Sequence, residues 1–418
     1  MKLLWMVAVW LLALDALAAP LTLDQAYQKA LARSEALQIT EEQEKFAKGR
    51  YDEAFSAIFP QINLSASELF RNSQDGFGNE GGIVPSGSRR RFRSSVSFTQ
   101  PIFRGFREFL LADAAKFELS AAAQLIERRK QELFLEVATS YEQLRLNRAD
   151  LKVLARTMET LGERIRELGE WVKLGKSKAS EISAAEAERA DLAALVEQVK
   201  GAEAAATEYL TFYLGDEASD YELTGPRLIP ASSTLEQYVL KGRERADIRA
   251  SANQLASLTK QVSVASRERL PAINLSGNYY PYQDPDSAQD WDISVSLQVP
   301  LFDAGRISSR VSQQEALRRQ GELNLQQLYR IAERDIRSSY AQLVASRARE
   351  KSLATLVADA EKSYESQRAD YKLGIVTNID VLQAIRQVED AKRRLLAAGV
   401  ESHINSIKLA VASGDLSL

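Results

Sequence analysis

Two stretches of the chain alternate apolar and small polar residues. In the first, Val96 and Phe98 alternate with Ser95, Ser97 and Thr99; in the second, Ile293, Val295, Leu297 and Val299 alternate with Ser294, Ser296 and Gln298. A period of two predicts a strand with one apolar and one wet face. A proline follows each stretch, Pro101 and Pro300, and is expected to end the strand because it cannot donate to a ladder. Each stretch next meets a glycine, Gly105 or Gly305, after which a helical period runs as far as Gly175 or Gly374.

These joins belong to a duplication. Pro101 and Pro300, Phe103 and Phe302, Tyr141 and Tyr340, Gly175 and Gly374, and Glu181 and Asp380 are all 199 residues apart. Upstream the offset is 212 between Thr22 and Thr234 and 211 between Pro60 and Pro271, so the first copy carries extra residues between Ser65 and Ser95. The glycine-rich stretch Asn72 to Ser88 accommodates them as a loop. Thr22 and Thr234 each stand three residues before a glutamine, the spacing of a capping box. Each is expected to open one unbroken entry helix that runs to Pro60 or Pro271. Strands are expected at Gln61 to Phe70, Phe92 to Gln100, Ala272 to Tyr280 and Trp291 to Val299, near the ~10 residues that a tilted strand needs to cross a bilayer.

In the lower half of the first long helix, Leu151, Leu154, Met158, Leu161, Ile165, Leu168 and Val172 step by threes and fours. Leu353, Val357, Ala360, Tyr364, Gln367 and Tyr371 keep the same register in the second copy. That period is the one of coiled-coil packing. Return helices are expected at Ser180 to Leu214 and Asn378 to Ala412. At 1.5 Å per residue the long helix measures ~105 Å and the entry and return helices ~55 to 60 Å each, so two short helices end to end match one long one. The division is then a leader at 1–18, a first repeat at 19–214, an equatorial linker at 215–233 with Pro226 and Pro230, and a second repeat at 234–418.

The leader has Lys2, an apolar run from Leu3 to Leu14 and small residues at Ala16 and Ala18, the form of a cleavable export signal. Cysteine is absent, which excludes a disulfide framework and an N-terminal lipid attachment site. A formal charge of −3 with charges spread along helix faces gives no nucleic-acid signal. The single histidine, His403, is expected to pack or hydrogen-bond locally, and no metal or other cofactor site is expected. No nucleophile and base set or phosphate loop is visible, which argues against an enzyme.

Export changes the meaning of the two-faced strands. An apolar face toward lipid and a hydroxyl-rich face toward water is the arrangement of an outer-membrane barrel, and Phe70, Phe92, Phe103, Tyr279, Tyr280, Tyr282, Trp291 and Phe302 stand at strand ends as an aromatic girdle would. Four strands cannot close a barrel, and in lipid an open edge leaves backbone groups unsatisfied. Two chains would supply eight strands, which side chains can fill; three would supply twelve and leave a lumen. The polar inner face favours three.

With its paired Gln100-Pro101-Ile102-Phe103 and Gln298-Val299-Pro300-Leu301-Phe302 joins, and the tip Tyr371-Lys372-Leu373-Gly374 followed by Asn378-Ile379-Asp380-Val381-Leu382-Gln383-Ala384, the chain resembles the TolC-like outer-membrane efflux proteins over essentially its whole length. The resemblance implies a mixed α and β membrane protein: a homotrimer with a shared twelve-stranded barrel in the outer membrane and a periplasmic α-barrel of coiled-coil hairpins. It implies a periplasmic adaptor and an inner-membrane pump of RND, ABC or MFS type as partners. The tips Lys173-Leu174-Gly175 and Lys372-Leu373-Gly374 are where the family docks its adaptor. At the tunnel mouth the resemblance implies a gate in which Tyr371 links to Glu181, with Asp380 supplying negative charge. An arginine that commonly adds a second link is replaced by Val376, and a second acid by Gln383.

The structural alternative for Glu181 and Asp380 is that acids in a first helical turn simply favour the helix dipole. Arg89, Arg90, Arg91 and Arg93 precede the returning strand and suit either a solvated loop or lipopolysaccharide phosphates. A periplasmic adaptor would have one helical hairpin between two half-motifs, unlike the alternation found here, and a structural envelope spacer would have no use for a hydroxyl-lined strand face.

Overall fold

The computed structural model describes residues 19–70, 90–225, 234–282 and 290–415. The leader, the Asn72 to Ser88 loop, Arg89 and the linker prolines lie outside these. The chain forms two compact units, each drawing on both repeats: Met1–Gln38, Glu127–Arg245 and Arg330–Leu418 in one, Ile39–Ile126 and Ala246–Tyr329 in the other.

Both capping boxes form. Thr22 Oγ1 accepts from Gln25 N while the Gln25 side chain accepts from Thr22 N, and Thr234 and Gln237 do the same. The entry helices, however, are each broken in two. The first is α1 (Leu23–Arg33) and α2 (Glu35–Ser56). Ser34 leaves the helical region and its hydroxyl accepts from Leu37 N, restarting the chain as a new cap does. The second is α5 (Leu235–Gly242) and α6 (Ala246–Ser266). Gly242, the last residue of α5, lies against the Ile336 side chain, in the place a Cβ would occupy.

In the second unit, β2 (Gln61–Phe70), β3 (Arg90–Phe103), β5 (Ala272–Tyr282) and β6 (Trp291–Gln298) form one antiparallel sheet in the order β2-β3-β5-β6. Its two faces are those the alternation requires. Ile62 pairs with Phe98, Leu64 with Val96, Leu275 with Val295 and Ile273 with Leu297 on one face; Asn63 pairs with Ser97 and Ser276 with Ser294 on the other. The duplication extends to hydrogen bonds: the hydroxyls of Ser65 and Ser95 meet at 2.8 Å, and so do those of Ser276 and Ser294. Leu64, Ile293, Val295 and Leu297 are all exposed in the single chain, and β2 and β6 are open edges.

Three expectations are corrected here. Pro101 does not end its strand; β3 continues to Phe103 through a bulge against β5, while the β2 register has already stopped at Thr99, so the missing N–H breaks no bond to β2. Tyr280 leaves the girdle: its hydroxyl donates to Asp292 Oδ2 at 2.9 Å, among the polar-face residues. Arg90 and Arg91 are already in β3, paired with Phe70 and Leu69, and the Arg93 guanidinium lies 4.2 Å from the Tyr280 ring centre.

The strand-to-helix joins each need two left-handed residues in succession. These are Gly105 and Phe106 (φ 70° and 58°), and Ala304 and Gly305 (φ 52° and 86°). Gly105 is also closed in by Leu270, so a side chain there would be both strained and crowded. After these turns α3 (Arg107–Lys173) and α7 (Arg306–Lys372) run as single helices of 67 residues. Against α3, Arg50 of α2 and Ser257 of α6 both reach Glu118, at 2.9 and 3.1 Å.

In the first unit, α4 (Ala179–Leu214) and α8 (Asn378–Ser413) return along the far parts of the long helices. A cluster of Leu154, Leu161, Leu168, Ala185, Leu192, Val199, Tyr371, Val381, Leu382 and Ile385 fills the coiled-coil seam. A second core surrounds Phe134 and Tyr141, and the expected linker contributes to it. Its residues Tyr221–Leu223 form β4, parallel to β1 (Ala19–Leu21). The fully buried Tyr141 donates to the carbonyls of Leu21 and Thr224 at 2.7 and 3.1 Å, fastening this small sheet to α3. His403 finds its partner not on its own helix but on α3, with Nδ1 3.0 Å from Glu142 Oε1. Burial opposes ionisation of Glu142, yet hydrogen bonds from His403 and Arg145 outweigh it and hold its carboxyl below the usual range.

Candidate functional site at the helix tips

The turns after α3 and α7 share one geometry. Lys176 N bonds to Trp171 O at 2.8 Å and Gly175 N to Val172 O at 3.0 Å, the two bonds of a Schellman cap; Ile375 to Asp370 and Gly374 to Tyr371 repeat them at 3.0 Å each. Gly175 and Gly374 have φ of 70° and 76° with nothing near the position of a Cβ, so the left-handed conformation alone demands glycine. Lys173, Leu174, Lys372, Leu373 and Ile375 are exposed around the turns, and Lys173 bonds to Glu170 at 2.7 Å.

Past the turns the copies diverge. At the start of α8 Thr377 is the N-cap, and Asp380 closes a capping box, its Oδ2 accepting from Thr377 N at 2.8 Å and from Thr377 Oγ1 at 2.6 Å. The Thr377 hydroxyl and then its backbone N–H hold the Asp380 carboxyl below the ordinary carboxylate range. At the start of α4 the N-cap is Lys178, which forms no side-chain cap. Glu181 turns elsewhere: its Oε2 accepts from Tyr371 Oη at 2.5 Å and from Ser177 Oγ at 2.7 Å. Burial, and then the bond to Glu181, raise the Tyr371 pKa above the usual tyrosine value.

The structure therefore joins two of the four expected gate residues, Tyr371 and Glu181. Asp380 sits half-buried in its own helix start, as the dipole reading expects, and Gln383 is exposed on the next turn. Val376 packs against the apolar seam.

Sequence reasoning missed three residues here. The Trp171 ring stacks on Tyr371 with centres 5.2 Å apart and planes 6° from parallel, and the Arg164 guanidinium lies 4.0 Å from the same ring centre. Arg164, only 4% exposed, donates from Nε and Nη2 to Asn378 Oδ1, both at 3.0 Å. Asn378 Nδ2 in turn donates to the Glu181 carbonyl at 3.2 Å. In the sequence Arg164 stands in the charged run Glu163 to Glu167 beside the heptad and carries no mark of burial. About two turns further along α4 and α8, Arg386 pairs with the buried Glu188.

A family model described as "Outer membrane efflux protein" matches residues 26–216 and 242–415. The chain is 24% identical over 377 residues to "Outer membrane protein TolC" of Vibrio cholerae, covering 87% of this chain and 83% of the relative. It is 25% identical over 409 residues to "Protein CyaE" of Bordetella pertussis, covering 95% and 84%. Among solved structures it superposes on the outer membrane protein VceC of Vibrio cholerae with a TM-score of 0.82 at 21% identity, covering 94% of this chain and 96% of that one. On CusC the TM-score is 0.81 at 18% identity, covering 94% and 91%.

Proposed function

Because the chain belongs to the outer membrane efflux protein family, and is thus an outer-membrane channel with its helices in the periplasm, we propose that it is the passive exit duct of a tripartite efflux or type I secretion system. The observation that carries this reading is the four-stranded sheet, apolar on one face, hydroxyl-lined on the other and open at both edges. Lipid satisfies the apolar face, and only strands from further copies satisfy the edges. Three copies give twelve strands with room for water, so the working form is a homotrimer. An adaptor docks on the exposed tips around Gly175 and Gly374 and connects the duct to an inner-membrane pump of RND, ABC or MFS type. The Tyr371 to Glu181 bond is the latch of the periplasmic mouth, and three copies of Asp380 add negative charge that attracts cations there. At the other end, Arg93 and its neighbours suit lipopolysaccharide phosphates.

Cross-linking in native membranes tests the assembly, with a trimer as the expected product. A monomer alone would overturn the shared barrel.

A further inference from the structure

We propose that Arg164 is the residue that positions the latch, holding Tyr371 and Glu181 in register from a buried site behind them. The proposal rests on the latch reading given above. A tyrosine hydroxyl makes a short bond to a carboxylate only where its ring is held in one orientation, and Arg164 acts on both ends of this bond. Its guanidinium packs on the Tyr371 ring that Trp171 also stacks against. Two of its N–H groups fix Asn378, the first residue of α8, and Asn378 carries the constraint to the backbone of Glu181. One side chain on α3 thus ties α4, α7 and α8 together.

An arginine is rarely buried this deeply without a specific partner set. Here the partners are complete: Asn378, the Tyr371 face, and Glu167 Oε2 at 2.9 Å. The duplicated positions argue that this is no general feature of the coiled coil. Arg164 corresponds to Ser363, Trp171 to Asp370, Asn378 to Ala179 and Tyr371 to Val172, so every member of the set occurs once, at the single place where the two hairpins meet in this way. A buried charge with a planar two-pronged donor also resists partial opening, because separating α3 from α8 strips the guanidinium of Asn378 and leaves it only Glu167 of its own helix.

The test is single-channel conductance in a planar bilayer for Arg164→Gln, for Tyr371→Phe with Glu181→Gln, and for the three substitutions together. Trimer yield and thermal resistance of the trimer are followed as a control for folding. Arg164→Gln is expected to raise conductance several-fold, and the combined variant to conduct no more than the Tyr371/Glu181 variant, because both break one device. A parent-like Arg164→Gln beside an open Tyr371/Glu181 variant overturns the positioning role, and so does a rise that adds to that of the latch substitutions. If instead the Tyr371/Glu181 variant itself conducts like the parent, the latch reading fails first, and the proposal with it. Should Arg164→Gln not assemble, Arg164→Lys keeps the charge but not the fork and carries the same expectations. Fluorescence supplies an independent readout. In leaderless protein carrying Trp291→Phe, Trp171 reports alone, and Arg164→Gln is expected to increase its quenching by acrylamide. Unchanged quenching would mean that Tyr371 keeps its stack without Arg164, against the proposal.

Discussion

Glu181 and Asp380 occupy the same point of a duplicated plan, 199 residues apart, and do different work. The difference lies three residues upstream of each. Thr377 offers a hydroxyl and a backbone N–H to Asp380, which folds back and caps its own helix. Lys178 offers no such cap, so Glu181 is left to reach the other hairpin. The partner differs as well: the copy of Tyr371 is Val172, so even an uncommitted Asp380 would find no equivalent tyrosine. On the latch reading, a repeat becomes a lock when one acid is held wholly by its own helix start and the other, bonded to Ser177 as well, also reaches across to Tyr371.

The tips themselves did not diverge, and breaking what they share should have the largest effect. Replacing Gly175 and Gly374 with bulky residues forces side chains into a conformation that favours glycine, and is expected to abolish export while trimer abundance stays unchanged. Normal export by the double variant would move adaptor docking elsewhere.

Next comes the lock. A hydrogen bond to a charged group contributes ~1.5 to 3 kcal/mol, and the half-buried Glu181 puts this one toward the lower end. On the latch reading, three such bonds in a homotrimer would hold closure by only several kcal/mol, within reach of a docking partner. Tyr371→Phe with Glu181→Gln is accordingly expected to raise single-channel conductance strongly; parent-like conductance would show that the bond latches nothing.

The comparison sharpens when one copy is made to resemble the other. Lys178→Thr installs a cap worth about 1 kcal/mol at the start of α4 and invites Glu181 to fold back as Asp380 does. Conductance should rise, but less than in the Tyr371/Glu181 variant, while the first turn of α4 gains protection from hydrogen exchange. Protection gained without any conductance change would separate the cap from the latch.

The smallest effect is expected at Asp380. Its carboxyl is depressed in the folded chain, so both its charge and the stability of its box are present above the unfolded value of ~3.9 and are lost only as pH falls through the lower folded value. Cation preference, read as a reversal potential in a salt gradient, should persist down to about pH 4. Asp380→Asn should weaken that preference at neutral pH with little change in conductance. If selectivity is unaltered, Asp380 is a helix cap and nothing more.

Much of this was legible in the chain itself. Alternation of period two gave the two faces of the returning strands, because a strand has only two sides; that Ser65 meets Ser95 and Ser276 meets Ser294 across the ladder is a matter of register. The seam residues, tip glycines and capping threonines could be named because each answers to local backbone geometry or to a period along one helix. Membership in the family added the expectation that Tyr371 meets Glu181, which periodicity alone does not supply.

What only the folded structure decided depends on contacts between segments far apart in sequence. The entry helices break at Ser34, where a hydroxyl restarts the chain as a cap, and after Gly242, which lies against Ile336 of a helix far away in sequence, although nothing in their composition forbids a helix. The linker's β4 becomes a strand because β1 lies beside it and Tyr141 holds both. Arg164 reads as one charge among several on a helix surface, and only the convergence of α4, α7 and α8 makes it buried. A side chain's neighbours along the chain determine its face; which other helix covers that face is a property of the tertiary fold.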